Sequence, residues 1–561
     1  MTNKGAVVGL RVLSMVIGVA VVSAGLVNGF AAVPPHVKQA ADLGRPIWVF
    51  LSDKGPSEYA AKLTATQFMS ARAVRRLALR GGVYPREQDW PVYAEYGNAL
   101  REAGLAIRVE SRLLNAVSGH ASSSVIEQIA QFAFVDSFRV VRSYRRSIPE
   151  PVDTRPAYKP TTPPLPPVFD YGAARPQIEA LQIDRVHDAG FDGTGVFLCF
   201  LDTGFDINHP AFDSLRLVAT YDFINDDVDV DDDDALQMDH GTATLSVCAA
   251  LHPGSMVGVA PRADYALGKT EDRSQEQPIE EDFWVEGAEW ADTIGCDIIS
   301  SSVGYSDWYD YGDLDGNTAV TTVAADRLAA RGLLIVNSAG NEGNKPWRYV
   351  VAPSDGDSVL AVGATTVSGI RTSFSSVGPT ADDRIKPDVM APGSGVVGAN
   401  LGLIPYAGKT GTSFSAPLVA GVCALMLQQD SSLTPWQVIE RLRETATMAN
   451  DPDTLMGWGV VQAAEAMRIP KVVSESGIRV YPNPSSTGQI SIVTPDTAGT
   501  SEYQVFTVSG QNVRAGQFDG SLGRWDGRTS DGRPVASGIY LIRVVTPVRE
   551  EILKVAILRD R

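Results

Sequence analysis

The residue types of nucleophilic acyl transfer stand in four short polar stretches. Gly411-Thr412-Ser413-Phe414-Ser415-Ala416-Pro417 feeds straight into the apolar run Leu418–Leu427. That run is a helix with almost no polar face, and such a helix is buried. Ser413 therefore stands where the first backbone N–H groups of a buried helix point outward, a place that stabilises a developing oxyanion. Taken alone it reads as an N-cap serine. A nucleophilic serine needs a base and an orienting acid. Phe200-Leu201-Asp202-Thr203-Gly204 ends an apolar run with an aspartate before a glycine turn; alone, that is a turn residue. Met238-Asp239-His240-Gly241-Thr242-Ala243-Thr244 opens a small-residue helix. His240 is one of six histidines; His209, in Asn208-His209-Pro210, also has a tight polar setting and reads as structural. Ser338-Ala339-Gly340-Asn341-Glu342-Gly343 offers a side-chain amide, which donates to an oxyanion without carrying charge.

These stretches need strand ends and helix starts to hold them. Residues 171–468 alternate strand and helix patterns, which implies an α/β parallel sheet with helices on both faces. Val196–Leu201, Asp297–Ser301, Leu333–Val336 and Val359–Val362 are near-continuous apolar runs, as expected of strands buried on both faces. Chemistry in such sheets gathers at strand ends.

With 561 residues the chain exceeds a single core. Its net charge of −18 argues against a nucleic-acid partner. The charge is uneven, +5 over residues 33–150 and −27 over 171–468, so the front and middle pieces attract each other. Cys199, Cys248, Cys296 and Cys423 lie in apolar or small-residue runs without metal-ligand spacing and read as buried free thiols, with one disulfide left open. Residues 1–32 read as a signal peptide: Lys4 and Arg11, an apolar Val12–Val27, then small residues, with cleavage near Ala31 or Ala24. Residues 33–147 form a small α+β pattern, 148–170 a proline-rich exposed linker, and 469–561 a run of short alternating strands with turn signals, an all-β sandwich.

Asp, His, Asn and Ser in this order within one α/β block closely resemble the subtilisin-like serine proteases. D-T-G at Asp202, H-G-T at His240, G-N-E-G at Gly340 and G-T-S-x-S-x-P at Gly411 match that family, as do Gly258-Val259-Ala260-Pro261 and Lys386-Pro387-Asp388. The resemblance implies that Asp202 orients His240, that His240 is general base and then acid, and that Ser413 is the nucleophile. It implies that Asn341 forms the oxyanion hole with the Ser413 N–H, and that Ser302-Val303-Gly304 pairs with the substrate backbone. No cofactor is required. The family commonly carries a second histidine where Thr244 stands, and little loss is expected from that change. Ser415 replaces the commoner alanine. The acidic stretch Glu271–Glu286 reads as a substrate-flanking loop, either favouring basic substrate residues or simply solvated. The run Asp226–Asp234 is a candidate calcium site, its alternative an exposed acidic loop.

In the same light, residues 33–147 resemble a subtilase propeptide that chaperones and inhibits its own enzyme. Residues 469–561, with Tyr481-Pro482-Asn483-Pro484 and Trp525-Asp526-Gly527-Arg528, resemble FlgD-like or type IX secretion sorting domains. The reading is a secreted or cell-surface bacterial serine endopeptidase. It is made as a self-inhibited precursor that acts on protein or peptide substrates, and its C-terminal domain engages secretion machinery or the cell surface. Its rival is a catalytically inactive subtilase fold used for binding or attachment.

Overall fold

The computed structural model describes residues 31–60, 64–81, 89–141, 169–232, 235–273, 277, 279–469, 478–485, 488–494 and 499–558. The expected signal peptide up to residue 30 and almost all of the 148–170 linker lie outside them. Among the described residues no helix is long and apolar enough to cross a membrane.

The middle block is built on a seven-stranded parallel sheet. Across it the strands run Val389–Pro392, Val359–Thr365, Leu334–Ser338, Ile298–Ser301, Phe197–Asp202, Asp264–Lys269 and Arg216–Asp222. The first strand in sequence lies inside the sheet, flanked by two later ones, so the chain reverses direction across it. That is the switch-point topology that opens a crevice at the carboxyl ends of the strands. The helix Thr412–Gln429 lies against four of the strands and is buried from Thr412 to Leu427. It shares a core with Leu198, Phe200, Val336 and Val362 from one face of the sheet. All four cysteines are buried and free.

The front domain is a four-stranded antiparallel sheet, ordered Ala106–Ser111, Ala116–His120, Ile47–Leu51 and Val135–Val140. Its Ile47–Leu51 strand separates its residues by the two-residue period of a strand. Ile47, Val49 and Leu51 pack into the domain's own core with Val37, Leu100 and Ile126. Trp48 turns the other way, into a cluster that holds Phe197, Trp284, Ala288 and Ile299 of the middle block. The C-terminal domain has sheets of three and four strands over a single core containing Ile490, Ile492, Trp525, Val505 and Ile542.

The acidic stretch departs from expectation. Its second half is not a loop but the start of a helix, Ile279–Ile294, and Glu280, Glu281, Asp282, Glu289 and Asp292 on that helix are all buried. It is not a solvated face either, because the front domain covers it. Ser118 Oγ donates to Asp282, and Arg108 lies 3.5 Å from the same carboxylate. Glu289 accepts from the N–H groups of Arg112 and Leu113, each at 3.1 Å, and from Ser111 Oγ. Asp292 is gripped by Arg76 and Arg112 of the front domain and by Arg331 at 2.9 Å. Further along, Arg72 and Arg80 bracket Asp297 at 2.9 and 3.0 Å. The charge contrast in the sequence is thus made concrete as named ion pairs.

A buried ion pair broken by removing one partner costs about 3–5 kcal/mol, because the other charge is stranded. Asp292→Ala, which takes the carboxylate from Arg76 and one of two from Arg112 and Arg331, is expected to destabilise the Ser413→Ala chain by about that much in denaturant unfolding. Glu179→Ala, which breaks a half-exposed pair with Arg175, is expected to change it by less than about 1 kcal/mol.

Candidate active site

Each expected site residue sits at the carboxyl edge of the sheet or at the start of a helix above it. Asp202 ends the strand Phe197–Asp202, Ser302 follows Ile298–Ser301, and Asn341 stands three residues past Leu334–Ser338. The glycine turn before Asn341 uses the left-handed region, with Gly340 at φ +105°. His240 lies in the helix Ala235–Ala249, and Ser413 is the second residue of Thr412–Gln429.

Asp202 and His240 meet directly, with Nδ1 to Oδ1 at 2.6 Å. The same carboxylate oxygen accepts the Thr203 N–H at 2.8 Å, and Oδ2 accepts from Thr244 Oγ1 at 2.9 Å. Asp202 is 1% exposed. Burial opposes its charge, but the positive charge of His240 and these hydrogen bonds outweigh burial and hold its carboxyl below the ordinary carboxylate range. An ionised Asp202 makes Nδ1 the donor, which puts the acceptor lone pair of the neutral ring on Nε2. The His240 ring stands 6.0 Å from that of Phe414, the residue after Ser413. Gly241 admits no side chain, since a Cβ there would lie 2.2 Å from Gly204 O.

Ser413 and Ser302 are tied reciprocally. Ser302 Oγ donates to Ser413 O at 2.8 Å, and Ser413 Oγ lies 3.3 Å from Ser302 O. Among the described residues Ser302-Val303-Gly304 joins no sheet ladder. Val303 O accepts from Asn337 Nδ2 at 3.2 Å, and a Cβ on Gly304 would run into Val351 at 2.3 Å.

Asn341 is oriented by a residue whose part the motif does not announce. Thr412 donates to Asn341 Oδ1 twice, from its N–H at 2.9 Å and its hydroxyl at 3.0 Å. The amide oxygen being engaged, Nδ2 faces the other way. A Cβ placed on Gly411, at φ +150°, would lie 3.6 Å from that Nδ2 and 3.7 Å from both Ser413 N and Phe414 Cε2, so the two nitrogens border the same spot. Such a pair of uncharged donors beside a serine hydroxyl stabilises an oxyanion in a water-poor site. Ser415 bonds Ala391 O and Pro392 O at 3.2 and 3.1 Å, fastening the helix start to a neighbouring strand.

Thr244, which the sequence singled out only as a departure of little consequence, bonds Asp202 directly. The signal was present: four residues after His240 on one helix, it occupies the same face. His209 lies apart, its Nδ1 accepting from Ala211 N–H in its own turn and its Nε2 2.9 Å from Pro405 O, far along the chain.

The acidic run after residue 222 holds a cation of its own. Lys269 Nζ lies 2.9 Å from both Asp222 and Asp232, and these partners overcome burial to raise its pKa. Among the described residues no group of three or more His, Cys, Asp or Glu side chains is placed to hold a metal ion. Asp233 and Asp234 lie outside them.

Comparison with known proteins assigns each part of the chain. The family model "Subtilase family" matches residues 193–459. "Peptidase S8 propeptide domain, Bacteroidota" matches 46–155, and "Secretion system C-terminal sorting domain" matches 479–558. Subtilisin DY of Bacillus licheniformis is 32% identical over 276 residues, which is 49% of this chain and 92% of that one. Subtilisin NAT of Bacillus subtilis subsp. natto is 28% identical over 359 residues, or 63% of this chain and 81% of that one. The thermostable alkaline protease of Halalkalibacterium halodurans is 31% identical over 290 residues, or 52% and 72%.

The depressed Asp202 pKa makes a stability statement. A carboxyl whose folded pKa lies below its unfolded value, about 4, stabilises the fold above that pH, and the contribution is lost as pH falls through the folded value. Asp202→Asn in the Ser413→Ala chain is therefore expected to flatten the fall of the urea midpoint below about pH 4.

Proposed function

The chain belongs to the subtilase family and is a serine endopeptidase; from that premise we propose that Asp202, His240 and Ser413 are its catalytic triad and Asn341 its oxyanion donor. The observation that carries this reading is the 2.6 Å bond from His240 Nδ1 to the buried, ionised Asp202. It fixes the ring's tautomer and stabilises the imidazolium that forms. Ser413 Oγ attacks the scissile carbonyl carbon as its proton passes to His240 Nε2. The oxyanion is held by Asn341 Nδ2 and the Ser413 N–H. His240 then gives the proton to the departing amine. Water repeats the sequence on the acyl-enzyme, releasing the acid and restoring Ser413. Ser302-Val303-Gly304, open to pairing, lies against the extended peptide as an added strand. This chemistry needs no cofactor; of the 226–232 carboxylates that invite calcium, Asp232 is engaged by Lys269.

The C-terminal sorting domain makes this a secreted or cell-surface bacterial protein, exported through a type IX route. The front domain is its propeptide. We place the propeptide at 33–147, the linker at 148–170, the catalytic domain at 171–468 and the sorting domain at 469–561. Cleavage in or near the linker frees the catalytic domain, whose substrates are proteins and peptides.

A fluorophosphonate probe, which labels an activated serine, tests this reading. Wild type is expected to label at Ser413 and to lose its front within residues 146–170, while Ser413→Ala stays long and unlabelled by mass spectrometry. A folded wild type freed of residues 33–147 that does not label would overturn the enzyme in favour of a binding protein. Asn341→Ala is expected to lower kcat about 10²–10³-fold with KM little changed, since the lost donor acts in the transition state.

A further inference from the structure

Thr244 stands where related proteases commonly carry a histidine, and its side chain does something specific. It is fully buried, 0% exposed, one helical turn below His240. Its Oγ1 lies 2.9 Å from Asp202 Oδ2 and 3.1 Å from Gly241 O. A hydroxyl has one proton, and the charged, nearer acceptor takes it. We propose that Thr244 is the positioning residue of the triad aspartate, its hydroxyl pinning Oδ2 so that Oδ1 stays aimed at His240.

The rest of the neighbourhood leaves this task to Thr244. Asp202 Oδ1 is shared by His240 Nδ1 and the Thr203 N–H, both on one side of the carboxylate. On Oδ2, Thr244 is the one side-chain donor among the described residues. Lys269, paired in register with Asp202 on the adjacent strand, sends its ammonium instead to Asp222 and Asp232. Without the hydroxyl, this buried anionic oxygen loses its side-chain donor among the described residues, and the carboxylate is free to turn about Cβ–Cγ to seek another. The His240 ring then loses its fixed direction. With one donor fewer on its carboxylate, the Asp202 charge also falls more fully on the imidazolium, so His240 gives up its proton at higher pH.

The inference rests on the triad reading above, and its test separates the two. Three full-length variants are compared after self-processing: Thr244→Ser, which keeps the hydroxyl, and Thr244→Val and Thr244→Ala, which lack it at different volumes. Active sites are counted with the fluorophosphonate. Val and Ala are expected to lose about 10–100-fold in kcat at nearly constant KM. Their acid limb of kcat/KM is expected to move to higher pH, and Ser is expected to stay close to wild type in both. If Ser falls with Ala, or if Val and Ala keep wild-type kcat and acid limb, the positioning role is overturned and the site is only packing. If wild type itself does not label, the triad reading fails, and the low-field proton resonance of His240 Nδ1 decides for Thr244. Its displacement in Thr244→Ala but not in Thr244→Ser supports the contact to Asp202, and an unmoved resonance overturns it.

Discussion

The helix Thr412–Gln429 has no face that water tolerates, and much of the molecule follows from enclosing it. Sixteen consecutive residues, Thr412 to Leu427, are buried. Only a broad sheet supplies enough apolar surface for that, and the strands it covers are themselves buried throughout. A helix sunk so deeply meets solvent only at its ends. Its amino end emerges at the carboxyl edge of the sheet, where Asp202, Ser302 and Asn341 arrive on strands of the same sheet. The reactive geometry is thus a by-product of burial, refined by a few polar contacts: Thr412 on Asn341, Ser415 on the neighbouring strand, Thr244 on Asp202.

The second organising constraint is the placement of charge. A helix that buries Asp282, Glu289 and Asp292 is an odd choice for a free-standing domain, because each carboxylate taken from water is costly unless it is paired. The front domain supplies the pairing with arginines, two serines and two backbone N–H groups, and its Trp48 extends the same core. Release of the front domain therefore returns these carboxylates to water. The helix that receives the propeptide also carries Glu280 and Glu281, which reach Tyr305 and Trp308 just beyond Ser302-Val303-Gly304.

The site was legible in the sequence because its residues fall in short Gly-bounded stretches at the ends of apolar runs. The strands that carry it were legible for the same reason, being buried on both faces. Arg216–Asp222 escaped notice because it is an edge strand with two of its seven residues exposed and four half-buried. Asp264–Lys269 escaped it because a charged residue stands at each end and a glycine near the close. The acidic helix was misread since its partners lie more than 150 residues earlier, and no local pattern carries that information. The roles of Thr244 and Thr412 are matters of side-chain direction. Spacing hints at the first and nothing in the sequence hints at the second.

Lys269 between Asp222 and Asp232 has a further meaning. A counter-ion drawn from the medium binds according to its supply, and the loop it braces inherits that dependence. An ammonium carried on the chain is present at an effective concentration set by the backbone and not by the surroundings. On this loop the protein has internalised its counter-ion. The link between Asp222 and Asp232 thus comes from within the chain itself.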